Sequence, residues 1–190
     1  MRVVVGIDPS LRRTGICWMR GGKVEGWNEI RPDQPDLLSS FSHIEGHLHD
    51  LMWDWRVHED EPPLFGIEKQ LSVGGHTSSL MFAVQMLVLG VIKTNFPDVN
   101  LVHPLPIQLK SYIKKRSDIK GKATASEIVR AALATDDFSN YPGRISQHVA
   151  DAYFLAKAAE EALAGTWVYN LSKKEIPIHP WKLIGGVAQK

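Results

Sequence analysis

The segment Val3-Val4-Val5-Gly6-Ile7 is a continuous apolar, mostly β-branched run that stops on Asp8. A run of this kind reads as a buried strand, residues 2–8. A carboxylate at its end constrains the chain, because burying a charge costs several kcal/mol unless it is paired or bound to a metal. Thr14 to Met19 reads as a second strand, Arg20-Gly21-Gly22-Lys23 as a tight turn, and Val24 to Ile30 as a third strand. The first strand, the most apolar, is expected at the centre of the sheet.

From Pro35 the period changes. Leu37, Leu38, Phe41, Ile44, Leu48, Leu51, Met52 and Trp55 fall at helical spacing, so residues 36–55 are expected as an amphipathic helix. Leu64 to Glu68 is a short buried strand, and residues 71–77 read as a mobile loop. Residues 78–95 form a helix with apolar residues on more than one face. That width predicts a core helix that also meets a partner, through residues such as Leu87 or Val91. Val99 to His103 is a fifth strand, and helices are expected at 106–115, 123–134 and 144–163. Strands in this order give an α/β fold, a mixed five-stranded sheet flanked by helices.

A chain of 190 residues is long enough for one well-buried domain and short for two. We therefore expect one domain over 1–165 and a C-terminal tail, 166–190, of unknown role. The longest apolar runs are too short to span a bilayer, so no membrane partner is expected. The N-terminus enters a strand without a basic, apolar leader. The single Cys17 has no partner for an internal disulfide, which fits a cytoplasmic location.

Three acids stand in distinct contexts. Asp8 and Glu68 each end an apolar run, and Asp151 opens the last helical pattern in His148-Val149-Ala150-Asp151-Ala152. Each has a bland reading. Asp8 before Pro9 can cap a turn. Glu68 can face water. Asp151 can sit in a first helical turn that favours acids, although its face, with Ala152 and Leu155, is not plainly polar. Gly15 is explained by the turn alone. Brought together at one sheet edge, however, several carboxylates make a site for Mg²⁺ and for metal-assisted phosphodiester chemistry. Net charge is only +1, yet Lys110, Lys114, Lys115, Arg116, Lys120 and Lys122 gather within 110–122 against Asp118. That segment is either a solvated helix end or a phosphate-backbone contact, made by Lys114, Lys115 and Arg116.

The stretch Gly6-Ile7-Asp8-Pro9-Ser10-Leu11-Arg12-Arg13-Thr14-Gly15 resembles the first motif of RuvC-type Holliday-junction resolvases, within the ribonuclease H-like superfamily. Phe65-Gly66-Ile67-Glu68-Lys69-Gln70 resembles the second motif, and His148-Val149-Ala150-Asp151-Ala152 the last. The resemblance covers about residues 1–163. It implies a homodimeric endonuclease that nicks four-way or branched DNA symmetrically, leaving 5′ phosphate and 3′ hydroxyl ends. It implies Mg²⁺ or Mn²⁺, two ions per site, held by Asp8, Glu68, His148 and Asp151. Lys110 and Lys122 match basic positions near the scissile phosphate. Leu71 falls where the family uses an aromatic wedge against DNA, a departure that removes the stacking surface. Ser10 stands where the family has Gly.

Three other readings compete. A different ribonuclease H-like nuclease would cut RNA–DNA hybrids or flaps. Actin-like kinases and chaperone ATPases share an Asp turn after a first strand, but they need a second domain. A non-catalytic DNA-binding module would have no use for all four ligand-type residues.

Overall fold

Two glycines close the first hairpin. β2 (Thr14–Arg20) and β3 (Lys23–Ile30) are joined by Gly21 and Gly22, at φ 56° and 81°, the backbone of a two-residue turn matched to strand twist. β1 (Val3–Asp8) pairs antiparallel with β2, and on its other edge parallel with β4 (Leu64–Ile67). β4 in turn pairs parallel with β5 (Asn100–Val102). This computed structural model describes residues 1–68, 79–104, 106–119, 121, 123–138 and 144–165, and short strands at 170–171, 174–175 and 181–182.

β1 is interior, as its apolar run requires. Among the described residues the sheet has six strands, one more than the expected five. β8 (Trp181–Lys182) pairs antiparallel with β5, giving the order β3-β2-β1-β4-β5-β8, and β6 (Asn170–Leu171) with β7 (Lys174–Glu175) form a separate ribbon. A two-residue strand leaves no periodicity to read.

Among the described residues, five helices flank the sheet: α1 (Leu37–His58), α2 (Ser79–Asn95), α3 (Pro106–Ser117), α4 (Ala125–Leu133) and α5 (Gln147–Leu163). The starts of α1, α4 and α5 are set by side chains that accept from free backbone N–H groups. Asp36 caps α1, Thr124 and Glu127 form a capping box on α4, and Ser146 caps α5. The cap moves the start of α5 from the expected 144 to Gln147. A 3-10 turn at Asp136–Phe138 is additional to the expected elements. None of the described helices is long and apolar enough to cross a membrane.

Strand alternation sorts the core into two layers. Val3, Val5, Ile7, Ile16, Phe65, Ile67 and Leu101 face α1 and α2. Val4, Cys17, Met19, Leu64 and Val102 face α3, α4 and α5. On α1, Ile44, Leu48, Met52 and Trp55 are buried as the spacing predicts, whereas Leu37 and Leu38 in its first turn are exposed.

Val91 does not face outward. It is 2% exposed in the core beneath α2, because it shares the inward stripe of Val84, Val88 and Ile92. The outward apolar surface of α2 belongs instead to Leu80, Phe82 and Met86, with Leu87 half-buried.

Candidate active site

The site is assembled by alternation and register. On β1, Val4, Gly6 and Asp8 point to the α5 side; on β4, Leu64, Gly66 and Glu68 do the same, since side chains two apart share a face. Gly6 lies opposite Gly66 and Ile7 opposite Ile67. Asp8 and Glu68 therefore leave neighbouring parallel strands side by side, Glu68 one residue past the last rung. Asp8 also lies opposite Gly15, and Gly15 opposite Glu29, so one row crosses three strands.

Glycines in this row and in the Gly6–Gly66 row beside it let α5 descend onto the sheet. A methyl group at Gly6 would overlap the Ala152 carbonyl oxygen, and one at Gly66 the Leu155 carbonyl. Gly15, which the sequence explains as a turn residue, has the same duty: a side chain there would strike the His148 carbonyl. The turn itself is closed by Thr14 and Ser10. Thr14 Oγ1 donates to the Ser10 carbonyl at 2.7 Å and accepts from the Ser10 N–H at 3.2 Å.

The close approach brings the first turns of α5 over Asp8. His148 Nδ1 lies 2.7 Å from Asp8 Oδ2, and Gln147 Nε2 donates to Asp151 Oδ2 at 3.2 Å. The Asp8 contact raises the His148 pKa above its ordinary value against the opposing effect of burial, with Asp151 and Glu29 adding to the rise. Burial pushes Glu68 up to about 7, helped by the charges of Asp8 and Asp151 and opposed by Lys110. Burial likewise pushes Asp151 up to about 7, helped by Asp8 and opposed by Gln147, His148 and Lys110. Asp8, Glu68, His148 and Asp151 are thus one electrostatic unit, and Lys110 on α3 acts on it.

Oxygen donors with one imidazole suit a hard divalent cation, and carboxyls held up near 7 gain from a cation beside them. The donor set fits Mg²⁺ or Mn²⁺ in chemistry. Among the described residues no three such donors stand close enough to enclose an ion as they are.

The remaining basic residues divide. Lys115 is exposed and Lys114 half-buried on α3. Arg116 forms an ion pair with Glu161 on α5 and lies 5.9 Å over the Tyr112 ring. Leu71 and Lys122 lie outside the described residues, as does the 71–77 loop.

Two neighbours of the site are absent from the sequence reading. Glu29 lies in the Asp8 row. Burial acts to raise its carboxyl, but Ser146, Arg31 and Arg13 beside it hold it below the usual range, and Arg31 pairs with it directly. Its signal in the sequence is an acid in an alternating strand, which is also what a solvated strand shows. Gln85 is the second: its amide lies against the Glu68 carbonyl. A glutamine inside an apolar helix was the available sign.

No family model and no curated protein matches the sequence. Solved structures do. The chain is similar to RuvC from Thermus thermophilus in complex with a Holliday junction substrate, at 17% identity and a TM-score of 0.64, covering 87% of this chain and 98% of that one. It is similar also to a second Thermus thermophilus RuvC structure, at 18% identity and a TM-score of 0.62, covering 86% and 97%. The chain has a RuvC-like fold, the ribonuclease H-like mixed sheet flanked by helices.

Proposed function

We propose that this protein is a metal-dependent endonuclease that resolves four-way DNA junctions by paired symmetric nicks, working as a homodimer in the cytoplasm. The observation that carries the reading is the in-register placement of Asp8 and Glu68 at neighbouring strand ends, with Asp151 and His148 delivered from α5. The similar fold of RuvC, solved on a Holliday junction substrate, supports the substrate class.

In this reading Asp8, Glu68, Asp151 and His148 hold Mg²⁺ or Mn²⁺, two ions per site. When bound, such a pair activates water for attack on the phosphate and stabilises the leaving 3′ oxygen. Asp8, on the interior strand beside β4 and 2.7 Å from His148, would be a metal ligand together with both neighbours, Glu68 and His148. His148 serves only as the neutral ring, so it must give up the proton that Asp8 favours. Lys110 offsets charge building on the scissile phosphate, and Lys122 is assigned the same duty. Lys114, Lys115 and Arg116 contact the DNA backbone, Arg116 only after exchanging Glu161 for a phosphate. Leu71 contacts the junction without stacking. Residues 1–165 are the catalytic domain, and the C-terminal tail, 166–190, adds β8 to the edge of its sheet beside β5.

The test is a labelled mobile junction incubated with and without Mg²⁺, beside an RNA–DNA hybrid and a flap. Paired, symmetric, ligatable nicks in the junction support the proposal. Preference for the hybrid or flap transfers the site to another nuclease activity. Failure to cut all three with either Mg²⁺ or Mn²⁺ overturns the nuclease reading.

A further inference from the structure

Gln85 projects from α2 into the core at 3% exposure, between the apolar Val84 and Val88 layers. Packing there asks for an apolar side chain, and a buried amide is tolerated only where it is hydrogen-bonded. Its Nε2 donates to the Glu68 carbonyl at 3.0 Å and lies 2.5 Å from His103 Nε2. With both amide hydrogens given away, His103 accepts at Nε2 and carries its own proton on Nδ1.

Both partners stand just past the ends of their ladders. The β4–β5 pairing ends at Gly66 and Val102, and the β1–β4 pairing at Ile7 and Ile67. The pairing at Ile67 fixes the chain before Glu68, and the Gln85 bond fixes the peptide plane after it. A peptide plane leaves only two soft dihedrals per residue, so a residue held on both sides points its side chain in one direction. We propose that Gln85 is a positioning residue for the carboxylate site, clasping the ends of β4 and β5 so that Glu68 is aimed at Asp8 and Asp151. This rests on the nuclease reading above. The clasp also reaches the basic side of the site, since His103 leads through Pro104 into α3, which carries Lys110.

The test is Mn²⁺ binding to the free full-length protein, followed by loss of the free-ion EPR signal, in wild type, Gln85→Met, His103→Ala and Asp8→Asn. Methionine keeps the volume and removes both donors. Gln85→Met should weaken Mn²⁺ binding roughly 10- to 100-fold, the usual effect of removing a partner behind a metal ligand. The Mg²⁺ needed for half-maximal junction nicking should rise by the same factor, and saturating Mg²⁺ should restore the rate. A merely structural role would lower the active fraction and leave the affinity of folded protein unchanged. Wild-type Mn²⁺ affinity in folded Gln85→Met overturns the clasp. If that variant does not fold, His103→Ala decides, because it keeps the Glu68 bond but removes the brace: roughly threefold weaker binding supports the clasp, and wild-type affinity overturns it. Asp8→Asn separates the two levels. Retained Mn²⁺ affinity in Asp8→Asn defeats the carboxylate site, and the clasp with it; its loss there, with none in Gln85→Met, defeats the clasp alone.

Discussion

The two faces of the sheet are packed by opposite means. Toward α1 and α2, Ile7, Ile16, Phe65 and Ile67 interdigitate with Ile44, Leu48, Val88 and Ile92, with aromatic edges such as Trp55–Phe65 at 6.3 Å. Toward α5, the central rows are glycine, and the backbone of the helix rests almost on the backbone of the strands. Bulky side chains tolerate small errors by changing rotamer; backbone against backbone does not. The candidate site lies on the face that cannot adjust. Asp8, Glu68, His148 and Asp151 come together because Gly6, Gly15 and Gly66 let α5 down to their level.

The widest break in that comparison is a single methyl group. Gly6→Ala should prevent folding or cost more than about 4 kcal/mol, because its Cβ would overlap the Ala152 carbonyl with no side chain free to move aside. On the opposite face of the same strand, Ile7→Val should cost only about 1 kcal/mol. Urea unfolding of both variants checks this, and comparable losses would mean that the glycine face is no tighter than the other.

The second test sets charge against packing. Burial and mutual repulsion raise Glu68 and Asp151 to about 7. The folded state thus holds protons that the unfolded chain releases at lower pH. Stability from these carboxyls is fully present below their unfolded values and is lost as pH rises through about 7. Glu68→Gln and Asp151→Asn should each abolish nicking while gaining roughly 1–3 kcal/mol of stability at pH 8, and should shed that gain at pH 4. Nicking at limiting Mg²⁺ should in turn rise with pH through about 7. A carboxylate variant that loses stability at pH 8 would show that packing, not charge, dominates this face.

The sequence conveyed the strands and helices of both faces well, for a physical reason. Apolar runs such as Val3–Ile7 and the stripe Ile44–Leu48–Met52–Trp55 follow from burial, which is a local property of each element. It singled out Asp8, Glu68 and Asp151 as candidates because each acid interrupts such a pattern, and the fold brings them within electrostatic reach of one another. It did not convey Gly15, Glu29 or Gln85. Their meaning depends on what crosses above them: the start of α5 over Gly15, Ser146 beside Glu29, and the end of β4 beside Gln85. The inward turn of Val91 was lost for a related reason. A helix apolar on more than one face does not reveal which stripe the sheet takes.

A smaller effect concerns α3, which lies beside the tight face. Replacing Lys114, Lys115 and Arg116 together by Gln should weaken junction binding and reduce its logarithmic salt slope by roughly 0.9 for each phosphate no longer neutralised. Arg116 is paired with Glu161, so it should contribute less than Lys115. Filter binding between low and moderate salt measures the slope. An unchanged slope would place α3 away from DNA.

The smallest expected change in stability lies on the outer side of the loose face. Phe82 is 54% exposed and Met86 50% exposed on α2, four residues apart and so on one side of the helix. Both lie outside the interdigitated layer that Val84, Val88 and Ile92 form with the sheet. Replacing both by Ser should therefore change unfolding free energy by no more than about 0.5 kcal/mol for each, as exposed positions do. If the same surface builds the two-fold contact of the proposed homodimer, sedimentation at micromolar concentration should pass from dimer to monomer in this variant. Paired cutting of the junction should then separate into unlinked single nicks, because symmetric incision needs two sites held in one complex. Val88→Ala reverses the signature: it should cost about 2–4 kcal/mol and leave the dimer assembled wherever the protein remains folded. A Phe82/Met86 variant that stays dimeric and cuts in pairs would move the contact to another surface, leaving the inner packing of α2 untouched.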